Sequence, residues 1–189
     1  SADQTSDLWA TPMPYHESFE GLHDTIVIVD AKQKSVSSRA GHGLMKSHPF
    51  AEVRFIQAKQ NWDYAIQFLA EGRWDELGAI IEEEALALHA MMMTSRPGYL
   101  LMAPDTIKAI NLLREFRYET GVPLYFTLDA GPNLHLLYPQ SARDKCFDFI
   151  QNTLVPALEG ARFIDDVMGS GARREDPENP IPTRTEDKI

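Results

Sequence analysis

Two short apolar runs constrain this chain more than any other feature. VPLYFTL (122–128) and NLHLLY (133–138) are separated only by the four residues DAGP. So short a link leaves no room for a crossover, so the two runs read as an antiparallel hairpin around a special turn. Two more runs of strand character lie outside it. DTIVIVD (24–30) is β-branched and bounded by acids, and ARFIDDVM (161–168) precedes Gly169-Ser170-Gly171.

Between the first strand and the hairpin the pattern turns helical. Pro49 suits a first helical turn, with Phe50, Val53 and Ile56 or Phe55 as its stripe. A second helix starts with Asn61 as cap, carries Trp62, Ala65, Ile66 and Leu69, and stops at Gly72. The third is capped by Asp75, buries Leu77, Ile80, Ile81, Ala85, Leu88 and Met92, and ends at Arg96-Pro97-Gly98. The fourth runs from Pro104 to about Thr120, striped by Ile107, Ile110, Leu113 and Phe116 or Arg117, and closes at Gly121. After the hairpin, Ser141 and Asp144 form a capping pair for a fifth helix with Phe147, Ile150 and Leu154. The order β, four helices, β, β, α, β predicts an α+β fold. It is a ferredoxin-like sandwich: an antiparallel sheet of about four strands with helices packed on one face.

Residues 1–22 read as an extended N-terminal lead-in, because Pro12 and Pro14 alternate with Met13 and Tyr15. The domain occupies 23–172. The tail 173–189, with three prolines and mixed charge, is expected to be disordered. The start at Ser1 rather than Met suggests a piece of something longer.

Composition narrows the function classes. The 189 residues are 43% hydrophobic, enough for a real core. Eighteen Lys+Arg stand against 28 Asp+Glu, a net charge of −10, which argues against nucleic acid or an anionic membrane surface as partner. No run nears the roughly 20 apolar residues of a membrane span. The single cysteine, Cys146, cannot form an internal disulfide, so a cytoplasmic setting is the expectation.

Two stretches carry candidate chemistry. In FTLDAGPN (126–133) Asp129 ends a strand and enters a turn that a ligand can approach closely. A carboxylate fixed there and facing a cleft has the geometry of a general base, although a turn aspartate most simply bonds its own turn. In VSSRAGHG (36–43) Ser37, Ser38 and Arg39 offer hydroxyls and a guanidinium to phosphate or carboxylate, between glycines that allow close approach. A solvated loop is the bland alternative.

The remaining features read as structural. His89 fits a satisfied core or boundary histidine, Met91 to Met93 helix packing, and Glu82 to Glu84 a solvated face. His42 and His48 lack partners at ligand spacing, so no metal site is expected. Cys146 reads as inert, and Asp165 and Asp166 show no obvious partner.

Taken together, VSSRAG (36–41), LALHAMMMTSRP (86–97) and above all YFTLDAGPN (125–133) resemble the mevalonate diphosphate decarboxylases of the GHMP kinase superfamily. The resemblance spans about residues 7 to 172 and covers only that family's C-terminal half. It implies that Asp129 orients or deprotonates the substrate's tertiary 3-hydroxyl, which attacks the γ-phosphoryl of ATP. Loss of phosphate and carbon dioxide then gives isopentenyl diphosphate. It also implies that Ala130 offers its backbone N–H to mevalonate diphosphate, and that Ser38 and Arg39 contact the diphosphate. His42 stands where relatives often place Met. ATP and Mg²⁺ would be bound mainly by the missing N-terminal half. The isolated chain would then be catalytically silent, and its uncovered half-interface would favour self-association as a homodimer. A kinase relative that phosphorylates a similar alcohol without decarboxylation, and a stand-alone binding or interaction module, are the competing readings.

Overall fold

The computed structural model describes residues 12–30 and 48–169. Ser38, Arg39, the rest of the serine-rich stretch and the tail expected to be disordered lie outside the described residues. After a short 3₁₀ turn at Glu17–Phe19, the chain forms β1 (His23–Ile28), α1 (Ala51–Glu71), α2 (Trp74–Thr94) and α3 (Pro104–Thr120). Then follow β2 (Tyr125–Leu128), β3 (Leu134–Tyr138) and α4 (Arg143–Phe149). A π-helical turn at Ile150–Leu154 leads from α4 into α5 (Val155–Ala157), and β4 (Arg162–Val167) completes the set.

The strands form one antiparallel sheet in the order β2-β3-β1-β4. β2 and β3 are the expected hairpin, with Leu128 opposite Leu134 and Tyr125 opposite Leu137. Strand alternation sends Thr25, Val27, Phe126, Leu128, Leu134, Leu136 and Tyr138 to the covered face. The apolar members among them pack on Ala109, Ile110 and Leu113 of α3 and on Cys146, Phe149, Ile150 and Leu154 of the α4 segment. This is the predicted α+β architecture.

Three helices, not four, precede the hairpin. Residues 51–71 hold no Gly or Pro, so nothing interrupts the helix at Asn61. Its side chain instead donates to Glu84 Oε1 of α2 at 2.8 Å. Arg54 reaches the same carboxylate at 2.5 and 3.1 Å, and Gln57 reaches Glu83. Polar side chains therefore join α1 to α2. Phe50, Val53, Phe55, Ile56 and Trp62, expected to be buried stripes, are exposed.

α2 also turns differently from the expected face. Its buried positions are Gly78, Glu82, Ala85, His89, Met91 and Met92, while Leu77, Ile80 and Leu88 are only half-buried. Tyr125 decides this rotation. A β-carbon on Gly78 would lie 2.2 Å from the Tyr125 ring, so only glycine lets the ring lie against the helix. Asp75 does not cap α2, which starts after Arg73; it accepts the Tyr125 hydroxyl at 2.7 Å. Nor do Ser141 and Asp144 cap α4, because a 3₁₀ turn at Gln140–Ala142 leads into it without a side-chain cap.

Candidate active-site turn

The DAGPN segment is the junction of β2 and β3, and three other elements hold it. From α2, His89 is 1% exposed and its Nε2 donates to the Asp129 carbonyl at 3.0 Å. The Gly131 N–H reaches the same oxygen at 2.7 Å. From α3, the fully buried Thr106 hydroxyl donates to the Pro132 carbonyl at 2.6 Å and accepts the Ala103 N–H at 3.1 Å. From the motif itself, Asn133 Oδ1 accepts the N–H groups of Val29 and Asp30 at 3.0 and 3.2 Å, just past the end of β1.

The described residues flanking 31–47 meet the fold at this end of the molecule. Asp30 is tied to Asn133. His48 is buried; its Nδ1 accepts the Phe50 N–H at 3.1 Å, so its Nε2 donates to Thr94 Oγ1 at 2.9 Å. Thr94 lies about 7.5 Å further along α2 than His89.

Asp129 itself is exposed, and among the described residues its carboxylate has no side-chain hydrogen bond or ion pair. Among the described residues nothing encloses that carboxylate. Its carbonyl oxygen is held by His89 and the Gly131 N–H, while the residue itself is exposed. Ala130 beside it is half-buried.

The bland reading of His89 as a satisfied core histidine holds, and its bond to the site turn was not foreseen. Burial holds its pKa below the usual histidine value, partly opposed by the hydrogen bond to Asp129. Asn133 carried a signal that sequence reasoning left unused, a side-chain amide at the mouth of a hairpin. Thr106 carried a fainter one, at the third helical position after Pro104.

Two further expectations need correction. Glu82 is not part of a solvated face: it is 5% exposed and accepts two hydrogen bonds from Arg117, at 2.7 and 3.2 Å. Nor is Asp165 alone. It accepts from Thr25 at 3.0 Å and Tyr138 at 3.3 Å and pairs with Arg143 at 3.4 Å. Cys146 is fully buried, and desolvation pushes its thiol up to about 12, in keeping with its reading as inert.

Among the described residues no group of three or more His, Cys, Asp or Glu side chains could hold a metal ion. Nor is any described helix long and apolar enough to cross a membrane.

Comparison with known proteins agrees with this architecture. A family model described as "Mevalonate 5-diphosphate decarboxylase C-terminal domain" matches residues 25–186. A curated relative from Haloferax volcanii, named phosphomevalonate decarboxylase, is 31% identical over 90 residues, 48% of this chain and 28% of the relative. The crystal structure of mevalonate diphosphate decarboxylase from Staphylococcus aureus aligns with a TM-score of 0.73 at 23% identity, covering 85% of this chain and 48% of that one. The structure described as "MDDEF in complex with MVAPP, AMPPCP and Magnesium" aligns at 0.70 and 21% identity, covering 82% and 50%. The chain thus spans about half the length of these solved structures, and it belongs to the family of the mevalonate 5-diphosphate decarboxylase C-terminal domain.

Proposed function

We propose that this chain is the C-terminal half of an ATP-dependent decarboxylase that converts mevalonate diphosphate to isopentenyl diphosphate, with Asp129 as base. The observation that carries the reading is the DAGPN turn, whose backbone carbonyls accept from α2 and α3 and whose Asn133 side chain accepts from the end of β1, while among the described residues the Asp129 carboxylate has no side-chain partner. A base whose main chain is fixed before substrate arrives loses little ordering free energy at the moment of reaction. One carboxylate oxygen takes the proton of the tertiary 3-hydroxyl. The Ala130 N–H and the side chains of Ser38 and Arg39 hold the substrate, the guanidinium forking onto the diphosphate. ATP and Mg²⁺ are bound mainly by the preceding half; a solved family structure is described in complex with MVAPP, AMPPCP and magnesium.

The curated relative supports a second reading, because its name specifies phosphomevalonate. Ser38 and Arg39 would then meet a single phosphate group. The test is the full-length protein supplied with each substrate, with ADP and carbon dioxide measured together. Coupled release from mevalonate diphosphate supports the first reading, and release from phosphomevalonate alone supports the second. ADP without carbon dioxide would make the protein a kinase. Asp129→Ala should lower turnover by a factor of about 100 to 10,000 with the fold retained, the usual share of a general base. Undiminished turnover removes Asp129 from the role.

A further inference from the structure

We infer that His89 is a positioning residue for this site, holding the peptide between Asp129 and Ala130 so that carboxylate and N–H are both aimed before substrate binds. The inference rests on the reading of Asp129 as base. It starts from one geometric fact: a side chain 1% exposed on the inner face of α2 places its Nε2 3.0 Å from the Asp129 carbonyl oxygen.

A trans peptide is planar, with its C=O and N–H pointing in opposite directions. Locking the Asp129 carbonyl toward α2 therefore turns the Ala130 N–H away from α2, toward the side a ligand can reach. The same lock fixes the Asp129 α-carbon, from which the carboxylate springs. The Gly131 N–H shares that carbonyl oxygen, and Thr106 holds the Pro132 carbonyl from α3. His89 is thus the clamp on the catalytic side of the turn and Thr106 the clamp on the far side. Two clamps from two helices allow the turn little rotation, whereas one would leave a hinge. Because His89 lies behind the backbone, it touches no reacting atom, and its loss should lower kcat while leaving substrate affinity largely in place.

The experiment uses the full-length protein carrying His89→Leu, which fills the space without a donor, and His89→Gln, which keeps an N–H donor. Asp129→Asn runs in parallel. Steady-state carbon dioxide release gives kcat and KM, and hydrogen exchange followed by mass spectrometry reads peptides covering 126–134. His89→Leu is expected to lower kcat about 10- to 100-fold, the scale of a misplacement near 1 Å, with KM changed less than about threefold. Exchange in the turn should rise, and His89→Gln should restore most of both. If His89→Leu keeps its kcat while Asp129→Asn is inactive, the positioning role is wrong and the base stands. If Asp129→Asn turns over normally, the base reading falls and this inference falls with it. Should His89→Leu fail to fold, His89→Asn, one methylene too short to reach the carbonyl, replaces it against His89→Gln. Equal kcat in that pair would also overturn the proposal.

Discussion

A buried imidazole is stable only where its nitrogens find partners, and His89 finds one in a main-chain oxygen of the site turn. Burial lowers its pKa in the folded protein below the ordinary histidine value of about 6.5, so the unfolded chain binds a proton more readily. Stability from this residue is complete above 6.5 and declines as pH falls from there toward the lower folded-state value. The thermal midpoint of the full-length protein should drop between neutral pH and mildly acidic pH, and less steeply in His89→Gln. Parallel slopes for the two proteins would show that His89 is not the group responsible. Cys146 makes a second residue-scale prediction. Fully buried, with its thiol pushed up to about 12, it should resist iodoacetamide at pH 8 in the native protein and react promptly once denaturant is added. Helical context in the sequence already reads His89 as a core or boundary histidine and Cys146 as inert, but it cannot give the main-chain oxygen that His89 meets or the full desolvation of the thiol.

At the scale of elements, the packing of α2 on β2 depends on a missing side chain. Gly→Ala inside a helix ordinarily stabilises by about 1 kcal/mol. At Gly78 the added methyl would meet the Tyr125 ring at 2.2 Å, so Gly78→Ala should instead destabilise by about 2 kcal/mol, the scale of core overpacking. A chemical denaturation midpoint that rises would contradict this packing. α2 and α3 meet through a carboxylate. Glu82 is buried, and Arg117 serves both it and the Leu124 carbonyl, the latter at 2.6 Å. Arg117→Met leaves that charge buried with only the more distant Arg114, 3.6 Å away and half-exposed. A loss of about 3 kcal/mol is expected for stripping one partner from a buried pair, read as a shift in the urea midpoint. Periodicity could not anticipate these contacts. It assigns every glutamate to water and every glycine to a turn, whereas here the neighbouring element determines what each one does. The same limit explains α1, where alternating apolar and polar residues suggested two buried stripes. Arg54, Gln57 and Asn61 instead face the glutamates of α2.

For the whole molecule, the decisive fact is the exposed Asp129 on a chain about half the length of its solved relatives. A proposed site open on one side binds a phosphorylated ligand poorly, because charged phosphates keep their water unless donors surround them. Calorimetry should therefore show mevalonate diphosphate binding the 189-residue chain at least about tenfold more weakly than the full-length protein, a difference of roughly 1.4 kcal/mol. Equal affinity would favour a self-sufficient binding module instead. What the amino-acid order determined by itself is local: the hairpin around DAGP, the helix ends at Gly72 and Gly121, the strand alternation and the candidate base at its turn. Each follows from backbone sterics and from hydrophobic period within a few residues. What only the tertiary structure decided is which side chains close on that turn. His89, Thr106 and the end of β1 lie 40, 23 and about 100 residues from Asp129 along the chain, and no local rule encodes which distant donor meets which carbonyl. That choice is made when the core packs, because a buried carbonyl must find a partner and packing brings only particular donors within reach.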